Sequence, residues 1–529
     1  MNDRMIPSRT ESPVSPPAGD CSFSNIPPFA PSSGRESPVT RTRRAALFFM
    51  NPPLNHKRGI ASIAFLILAT AGVGLTAITT QSLWMDEGSG AFKALIPNIK
   101  EWWAMTLRLG GSDVQMPVYM FLLWCWAQLG ALSEFALRAI NLPWLIIAVL
   151  ALRKVRFWPL VLLTCPFVLY YTGELRPYAM QIAGGALAAA ALAKVIANRD
   201  RNDFVGLHTA GAAALLLTCS SLTAVIWAGG LWLGVLMIRP DWLGRRGFWL
   251  KSLPWIASGL LFGAYYAFTL FKGYRATGTE GGSSVLSVFF GGYEMIGLLG
   301  LGPSRNELRV TPLAVTPYLG ILIPAFLCIT GAWTYGLRSW LRTVPTRCAL
   351  AVACAVLLPV VILTLIGILQ DFQVLGRHLS PAIPALLLPI AATLSTGPKV
   401  KLPFILGVLA VGFMLASAFE LRFLERHARD DYRNASLIGI NALKQEKSVW
   451  WQADMNATRY YAFRQGGIAL VNAIQVLESN PPTGLMFADV VVVNRPDLRY
   501  RGSNYQEEMK KNFFKLESRF TGFEVWKTH

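Results

Sequence analysis

Apolar runs recur along most of this chain, from Ile60 to Ala418, with short polar segments between them. Most runs have about 17 to 25 residues, which is long enough for one helix to cross a bilayer. Twelve runs are visible, near 60–80, 116–132, 138–152, 158–172, 178–193, 204–217, 222–237, 249–271, 316–335, 348–369, 379–396 and 403–419. The pattern predicts an all-α polytopic membrane protein.

Basic clusters lie between these runs, at 41–44, 153–156, 245–246 and 338–347. Short cytoplasmic loops carry an excess of Lys and Arg, so the clusters place the N-terminus inside. An outer position for both the first loop and the C-terminal tail then requires an odd number of spans. We therefore expect twelve or thirteen spans and favour thirteen, with the miscount between Leu83 and Arg153.

The segments that flank the apolar region differ from it in composition. Residues 1–58 are rich in Pro, Ser and Arg and cannot bury a core, which predicts a disordered cytoplasmic tail. Beyond Glu420 charge rises; the sequence predicts a helix at 430–443, a strand leading into a helix at 447–463, and strands at 488–496 and 520–526. The chain thus divides into a tail (1–58), a transmembrane domain (59–420) and a small periplasmic α/β domain (421–529).

Composition agrees with a membrane protein. Of the 529 residues 53% are hydrophobic and 15% are charged, whereas soluble domains carry about 25% charged residues. The net charge of +19 follows from the basic clusters between the spans. No basic stripe with interleaved aromatic residues occurs, which argues against a nucleic-acid partner. The five histidines are far apart, and no zinc-binding pattern is visible.

An acidic pair, Asp86 and Glu87, follows the first span in the sequence SLWMDEGSG. Carboxylates at a bilayer edge cost free energy and are usually kept for chemistry or ion handling. The plainer interpretation is a polar helix end or cap. Charged residues recur at the outer ends of other runs, namely Asp113, Glu174, Arg176, Arg377 and His378. Together they predict a polar cavity at one membrane face, where arginine forks match phosphate.

The loop after the first span also contains a segment with helical periodicity, from Ala91 to Leu109. Its apolar residues include Trp102 and Trp103, and lysines and an arginine interrupt them. This pattern is typical of a helix that lies in the membrane interface. Pro97 is expected to break it, so that the regular part begins there.

Five short elements follow one another between 60 and 420. They are Trp84-Met-Asp86-Glu87, Met116-Pro117-Val118-Tyr119, Ser133 to Arg138, Tyr171 to Tyr178, and Arg377-His378-Leu379-Ser380-Pro381. In order and spacing they resemble the membrane glycosyltransferases of the GT-C fold, in particular bacterial relatives of the protein O-mannosyltransferases and the aminoarabinose transferases. Gln115-Met116-Pro117 departs from the His-Pro-Pro of many relatives, and Gly88-Ser89 from their Ala-Tyr, which leaves the substrate open.

The resemblance implies an inverting transferase of the inner membrane, with its active site facing the periplasm. It implies a polyprenyl-phosphate donor of a hexose or pentose and leaves the acceptor open between glycan, lipid and protein. Asp86 is the expected base, with Glu87 as an orienting or metal-binding neighbour. The expected phosphate ligands are Arg377, Arg176 and His378, and the expected substrate contacts are Trp84, Glu174, Tyr178 and Asp113. Divalent metal use varies in the fold and stays open.

A transporter or flippase of lipid-linked saccharides is the alternative from another class, since carboxylates and arginines within spans suit ion-coupled movement. The chain shows no halves with matching hydropathy, and its polar residues cluster at one face. Both features favour the transferase.

Overall fold

The computed structural model describes residues 56–273, 285–370, 372–398, 400–477, 488–496 and 504–528. The predicted tail lies outside these ranges except for its last three residues, which begin the first helix. The first part of the body is a series of helices joined by short turns: α1 (His56–Ala77), α2 (Met85–Ala94), α3 (Ile99–Leu109), α4 (Pro117–Gln128), α5 (Glu134–Arg138), α6 (Leu142–Leu152), α7 (Trp158–Thr164), α8 (Pro166–Thr172) and α9 (Tyr178–Ala197).

The second part of the body continues this pattern with longer helices. These are α10 (Leu207–Ser220), α11 (Val225–Ile238), α12 (Arg246–Phe271), α13 (Val285–Ile296), α14 (Arg305–Val310), α15 (Leu319–Thr343), α16 (Thr346–Leu369), α17 (Ile383–Ser395) and α18 (Lys401–Phe423). A 3-10 turn, Gly376–Ala382, precedes α17 and carries Arg377. The sequence predicts an outer loop from Lys272 to Thr311, because this segment begins with the glycine-rich stretch GYRATGTEGGSS. The structure places two helices, α13 and α14, within that segment.

Eight helical segments of the described chain are long and apolar enough to cross a membrane, and two shorter apolar helices accompany them. Their exposed faces carry large apolar side chains such as Phe65, Leu260 and Leu357, as lipid-facing helices require. The all-helical membrane body is thus confirmed. The number of crossings stays a prediction, because length and composition do not place a membrane.

The loop after α1 is mostly helical and buried. Pro97 separates α2 from α3 as expected, and the Asn98 side chain caps α3 by accepting a hydrogen bond from the backbone N–H of Lys100 at 2.8 Å. Trp102 is buried against Phe121 and Trp124 of the body. The predicted depth of this segment in the membrane interface stays a prediction.

The C-terminal domain is a small α/β unit, as predicted. Its helices are α19 (Tyr432–Lys444), α20 (Met455–Ala473) and α21 (Tyr505–Lys511), and its strands are β1 (Val449–Gln452), β2 (Val490–Asn494), β3 (Phe514–Phe520) and β4 (Phe523–Thr528). The sheet order is β1-β2-β4-β3, with β1 and β2 parallel and the other pairs antiparallel. The single strand expected at 520–526 is wrong: the chain turns there, because Gly522 adopts a φ of 77°.

The domain packs on the helix that carries Asp86. One apolar core contains Phe92 and Leu83 of the first loop together with Tyr460, Trp451 and Val490 of the domain. Gly88 of α2 allows the closest approach, since a Cβ there would lie 2.3 Å from the Cα of Ala457. The acidic pair and the C-terminal domain therefore lie at the same end of the helical body.

We expect Gly88→Ala to loosen this contact, because the added methyl group meets backbone that cannot move as a side chain does. Overpacking of this kind costs about 1–3 kcal/mol. The melting temperature of the purified protein should fall, and the domain should become easier to cleave by a protease. Gly72→Ala is the matched control, since a Cβ at Gly72 meets nothing within 4 Å. Equal behaviour of the two variants would contradict the tight contact.

Candidate active site

The centre of the site is the buried carboxylate of Glu87, which is fully shielded from solvent. The guanidinium group of Arg138 donates two hydrogen bonds to it, from Nε to Oε1 at 3.0 Å and from Nη2 to Oε2 at 2.7 Å. The backbone N–H of Leu175 donates to Oε1 at 2.7 Å, and Arg429 Nη1 donates to Oε2 at 2.6 Å. Both oxygens are therefore occupied by protein donors.

The charge of Glu87 follows from these partners. Burial by itself raises the pKa of Glu87, but the guanidinium groups of Arg138 and Arg429 outweigh it and lower the pKa to about 2. Two positive charges close to a carboxylate stabilise its ionised form. Glu87 is thus a fixed anion that holds other groups in place. Its expected role as an orienting neighbour of Asp86 suits this geometry better than metal binding, which needs free oxygens.

Arg138 also shapes the turn between α1 and α2. Its Nη1 donates to the carbonyl oxygens of Thr79 and Gln81, at 3.0 and 2.7 Å, and its Nη2 donates to that of Ser82 at 3.1 Å. One buried guanidinium thus binds both Glu87 and the chain that leads to it. The start of α2 is fixed from two directions.

A second buried carboxylate, Asp113, binds the other cations of the site. It accepts hydrogen bonds from Lys93 and Arg176, both at 2.7 Å, and from the Ser89 hydroxyl at 2.8 Å. Burial raises the pKa of Asp113, but the charges of Lys93 and Arg176 exceed that effect and the pKa is lowered. Arg176 further donates to the backbone oxygen of Asp86 at 3.3 Å. Asp113 therefore holds Arg176 beside Asp86.

Asp86 differs from both of these carboxylates. Its side chain is 33% exposed, and its one hydrogen bond to a described residue is a long contact of 3.4 Å from Arg377 Nη1. Arg377 is 17% exposed, and its buried Nε has no partner in the part of the chain that the structure describes. Asp86 and Arg377 thus face each other with hydrogen-bonding capacity still unused.

The remaining predicted site residues lie around this pair. His378 Nδ1 accepts the backbone N–H of Leu375 at 3.0 Å, so this ring caps its own turn instead of reaching toward a phosphate with that atom. Tyr178 packs edge-to-face on Tyr171, with ring centroids 5.0 Å apart. Trp84 and Glu174 line a separate cleft. None of these placements tests the predicted contacts with a substrate, which stay predictions.

Glu174 has an unusual environment for a carboxyl group. It is almost fully buried, and Oε1 has no partner among the described residues. Burial raises its pKa, the charge of Glu87 raises it further, and the positive charges of Arg429, Arg377 and Arg305 only partly compensate. A group in such surroundings is a candidate for direct contact with a ligand.

The carboxylates of the site leave few oxygens free for a metal ion. Within the described ranges, no three His, Cys, Asp or Glu side chains lie close enough to hold an ion. Glu87 and Asp113 already use their oxygens on arginines and a lysine. These side chains therefore do not form a ready metal site.

Several residues of the site were not predicted from the sequence. Arg138 is the last residue of the element from Ser133 to Arg138, and in the sequence only this position indicated a role in the site. Lys93 and Arg429 carry no such signal, because they reach Asp113 and Glu87 only through the fold. The pair of Arg305 and Glu294, at 2.5 Å, comes from two helices inside the expected outer loop.

Comparisons with known proteins place the chain among distant structures only. No protein-family model matches it, and no curated protein does. Two crystal structures of ArnT from Cupriavidus metallidurans are similar to it. The apo structure is 15% identical, and the match covers 89% of this chain and 98% of that chain with a TM-score of 0.49. The structure bound to undecaprenyl phosphate is 14% identical, and the match covers 88% of this chain and 98% of that chain with a TM-score of 0.48.

The cryo-EM structure of the arabinofuranosyltransferase AftD from Mycobacteria is 13% identical, covers 91% of this chain and 40% of its own, and gives a TM-score of 0.47. Identities and TM-scores this low do not assign the chain to a family.

We expect Glu87→Gln to destabilise the protein strongly, because the buried Arg138 and the partly buried Arg429 lose their counter-charge. Removing one partner of a buried ion pair costs about 3–5 kcal/mol. The folded pKa of Glu87, about 2, lies below its usual 4.5, so this stabilisation is complete above about pH 4.5 and is lost as the pH falls toward 2. Melting temperatures of wild type and variant should differ most at neutral pH and converge in acid.

Glu517→Gln is the control for this series, since Glu517 is exposed and forms a surface ion pair with Lys527. It should melt like the wild type throughout. A constant gap between wild type and Glu87→Gln from pH 7 to pH 3 would show that the charge of Glu87 is not what stabilises the site.

Proposed function

We propose that this chain is a glycosyltransferase that moves a sugar from a polyprenyl-phosphate donor to an acceptor hydroxyl. The observation that carries the proposal is the pair of Asp86 and Arg377. Among the carboxylates at the start of α2 and beside it, Glu87 and Asp113 are saturated by cations, and Asp86 alone combines partial exposure with open oxygens. A carboxylate beside an arginine with unused donors suits proton removal next to a phosphate.

The chemistry assigns one step to this pair. The Asp86 carboxylate takes the proton of the acceptor hydroxyl, and the oxygen forms a bond to the anomeric carbon of the sugar. The bond from that carbon to the phosphate oxygen breaks, and the polyprenyl phosphate leaves with the electron pair. Attack from the side opposite the phosphate inverts the carbon, whose positive charge develops as in other glycosyl transfers.

The cations serve the leaving phosphate. Arg377 presents Nη1 beside Asp86 and has a buried Nε without a partner among the described residues. Arg176 is held in place by Asp113 and Ser112, at 2.7 Å each, and adds a fixed positive charge. Fixed donors of this kind stabilise charge as it develops on the leaving group. Lys93 supports Arg176 by sharing Asp113.

We place the reaction at the periplasmic face of the inner membrane. The basic clusters between spans support this side, and the C-terminal domain packs at the same end as Asp86. A transporter is the competing function, and it releases no free polyprenyl phosphate. The deciding measurement is whether the purified protein converts a lipid-linked sugar into polyprenyl phosphate.

We expect Asp86→Asn to lower the rate of sugar transfer by about 10²–10⁴, the usual loss when a general base is removed. Asparagine keeps the size of the side chain but cannot take up the proton. Asp200→Asn is the matched control, because Asp200 is exposed and has a similar long contact, 3.3 Å, from Arg199. A near wild-type rate in folded Asp86→Asn would remove Asp86 as the base.

We expect Arg377→Lys to weaken use of the donor while the protein stays folded. Lysine keeps the positive charge but loses the planar fork that binds a phosphate through two hydrogen bonds. The donor KM should rise by about tenfold or more, which corresponds to about 1.4 kcal/mol. Arg199→Lys is the control on the Arg199–Asp200 pair. Unchanged donor kinetics would reduce Arg377 to an anchor of its turn.

A further inference from the structure

A cleft opens at the joint between the helical body and the C-terminal domain. Five separate stretches of chain form its walls, and its lining includes Trp84, Tyr170, Glu174, Arg305, Arg429 and Arg495. Asp86, Arg176 and Arg377 are not part of this lining. The cleft is therefore a second space beside the Asp86–Arg377 pair.

Three polar atoms of the lining residues have no hydrogen-bond partner in the described part of the chain: Trp84 Nε1, Glu174 Oε1 and Arg305 Nε. All three atoms are shielded from solvent, and buried polar atoms normally have partners. The two N–H groups need an acceptor, and the carboxylate oxygen needs a donor. A hydroxyl group can both donate and accept, so a ligand with several hydroxyls suits a lining of this kind.

Aromatic rings form the other part of the walls, and arginines hold them. The guanidinium carbon of Arg305 lies 4.2 Å from the centroid of the Tyr170 ring, and that of Arg429 lies 5.4 Å from it. Arg495 stands 6.0 Å from the Trp84 ring. Rings fixed in this way combine an apolar face with a polar edge. A sugar ring has the same combination, with C–H faces and hydroxyl edges.

The arginines of the cleft already have counter-charges. Arg305 pairs with Glu294 at 2.5 Å, Arg429 with Glu87 at 2.6 Å and Arg495 with Asp430 at 2.7 Å. Little positive charge is left to attract a phosphate. A neutral ligand with hydroxyls fits this cleft better than an anion.

We propose that the cleft binds a neutral sugar ring of the acceptor, an assignment that rests on the proposed transferase function. A transferred sugar stays bonded to its phosphate, so a phosphate held at Arg377 keeps that sugar beside Asp86 and outside the cleft lining. A separate saccharide is free to occupy the cleft. Glu174 connects the two spaces, because it lines the cleft and its backbone oxygen accepts the N–H of Arg176 at 2.7 Å.

The test measures equilibrium binding of simple saccharides to the purified full chain in detergent. Saturation-transfer NMR detects the bound saccharide. The probes are methyl glucoside, methyl galactoside and methyl mannoside. At least one should receive saturation from the wild type. Trp84→Phe keeps an aromatic ring and loses the N–H group, so the Kd of that probe should rise about fivefold, as for one lost hydrogen bond.

Trp451→Phe is the matched control, since Trp451 Nε1 also lacks a partner but does not line the cleft. Its Kd should equal that of the wild type. Glu174→Gln serves as a second cleft variant in case Trp84→Phe does not fold, and elution as a single species checks each variant. Equal Kd values for wild type, Trp84→Phe and Glu174→Gln, or no saturation of any probe, would overturn the proposal and leave only water in the cleft.

Competition with two lipids shows whether the cleft binds a sugar of the acceptor or the sugar of the donor. Short-chain polyprenyl phosphate and the same lipid carrying a sugar are added to the saccharide complex. Neither should displace the probe if the cleft holds the acceptor. Displacement by the sugar-loaded lipid alone would assign the cleft to the donor sugar and overturn the proposal. Saccharide binding without any release of polyprenyl phosphate would refute the transferase function while leaving the saccharide site standing.

Discussion

The structure depends on how the buried charge of Glu87 is compensated. An ionised carboxylate without partners is very costly in a protein interior. Arg138, 51 residues along the chain, and Arg429, 342 residues along, supply the positive charges. They come from the body and from the connection to the C-terminal domain. Forming this one cluster therefore brings together the first loop, the helices of the body and the domain.

The same cluster explains why Asp86 is available for chemistry. Neighbouring residues of an α-helix project about 100° apart, so fixing Glu87 toward the interior turns Asp86 toward the 3-10 turn that carries Arg377. Asp113 binds Arg176 on the other side of Asp86. Asp86 thus keeps unused hydrogen-bonding capacity, because Glu87 and Asp113 bind the nearby cations. The C-terminal part of the chain contributes to this arrangement through Arg429 and through its contact at Gly88.

Features that depend on neighbouring residues were predicted well. The break at Pro97 follows from its missing N–H group, and the strand at 490–494 follows from a continuous run of valines. The hairpin at 514–528 was missed because its turn depends on the single glycine Gly522. The helices between 285 and 310 were missed because they lie in a segment whose glycine and charge content is typical of a loop.

The sequence by itself determined that the chain is a membrane protein, where its apolar helices lie and that carboxylates and arginines recur at their ends, because hydropathy and helix-breaking act over a few residues. Only the tertiary structure decided which of these charges are paired. Asp86, Glu87 and Asp113 are equivalent carboxylates in the sequence. In the structure Glu87 and Asp113 form short ion pairs, whereas Asp86 makes one long contact and stays partly exposed. Their partners are distant in the chain, and the energy of a charge depends on burial and on neighbours in space.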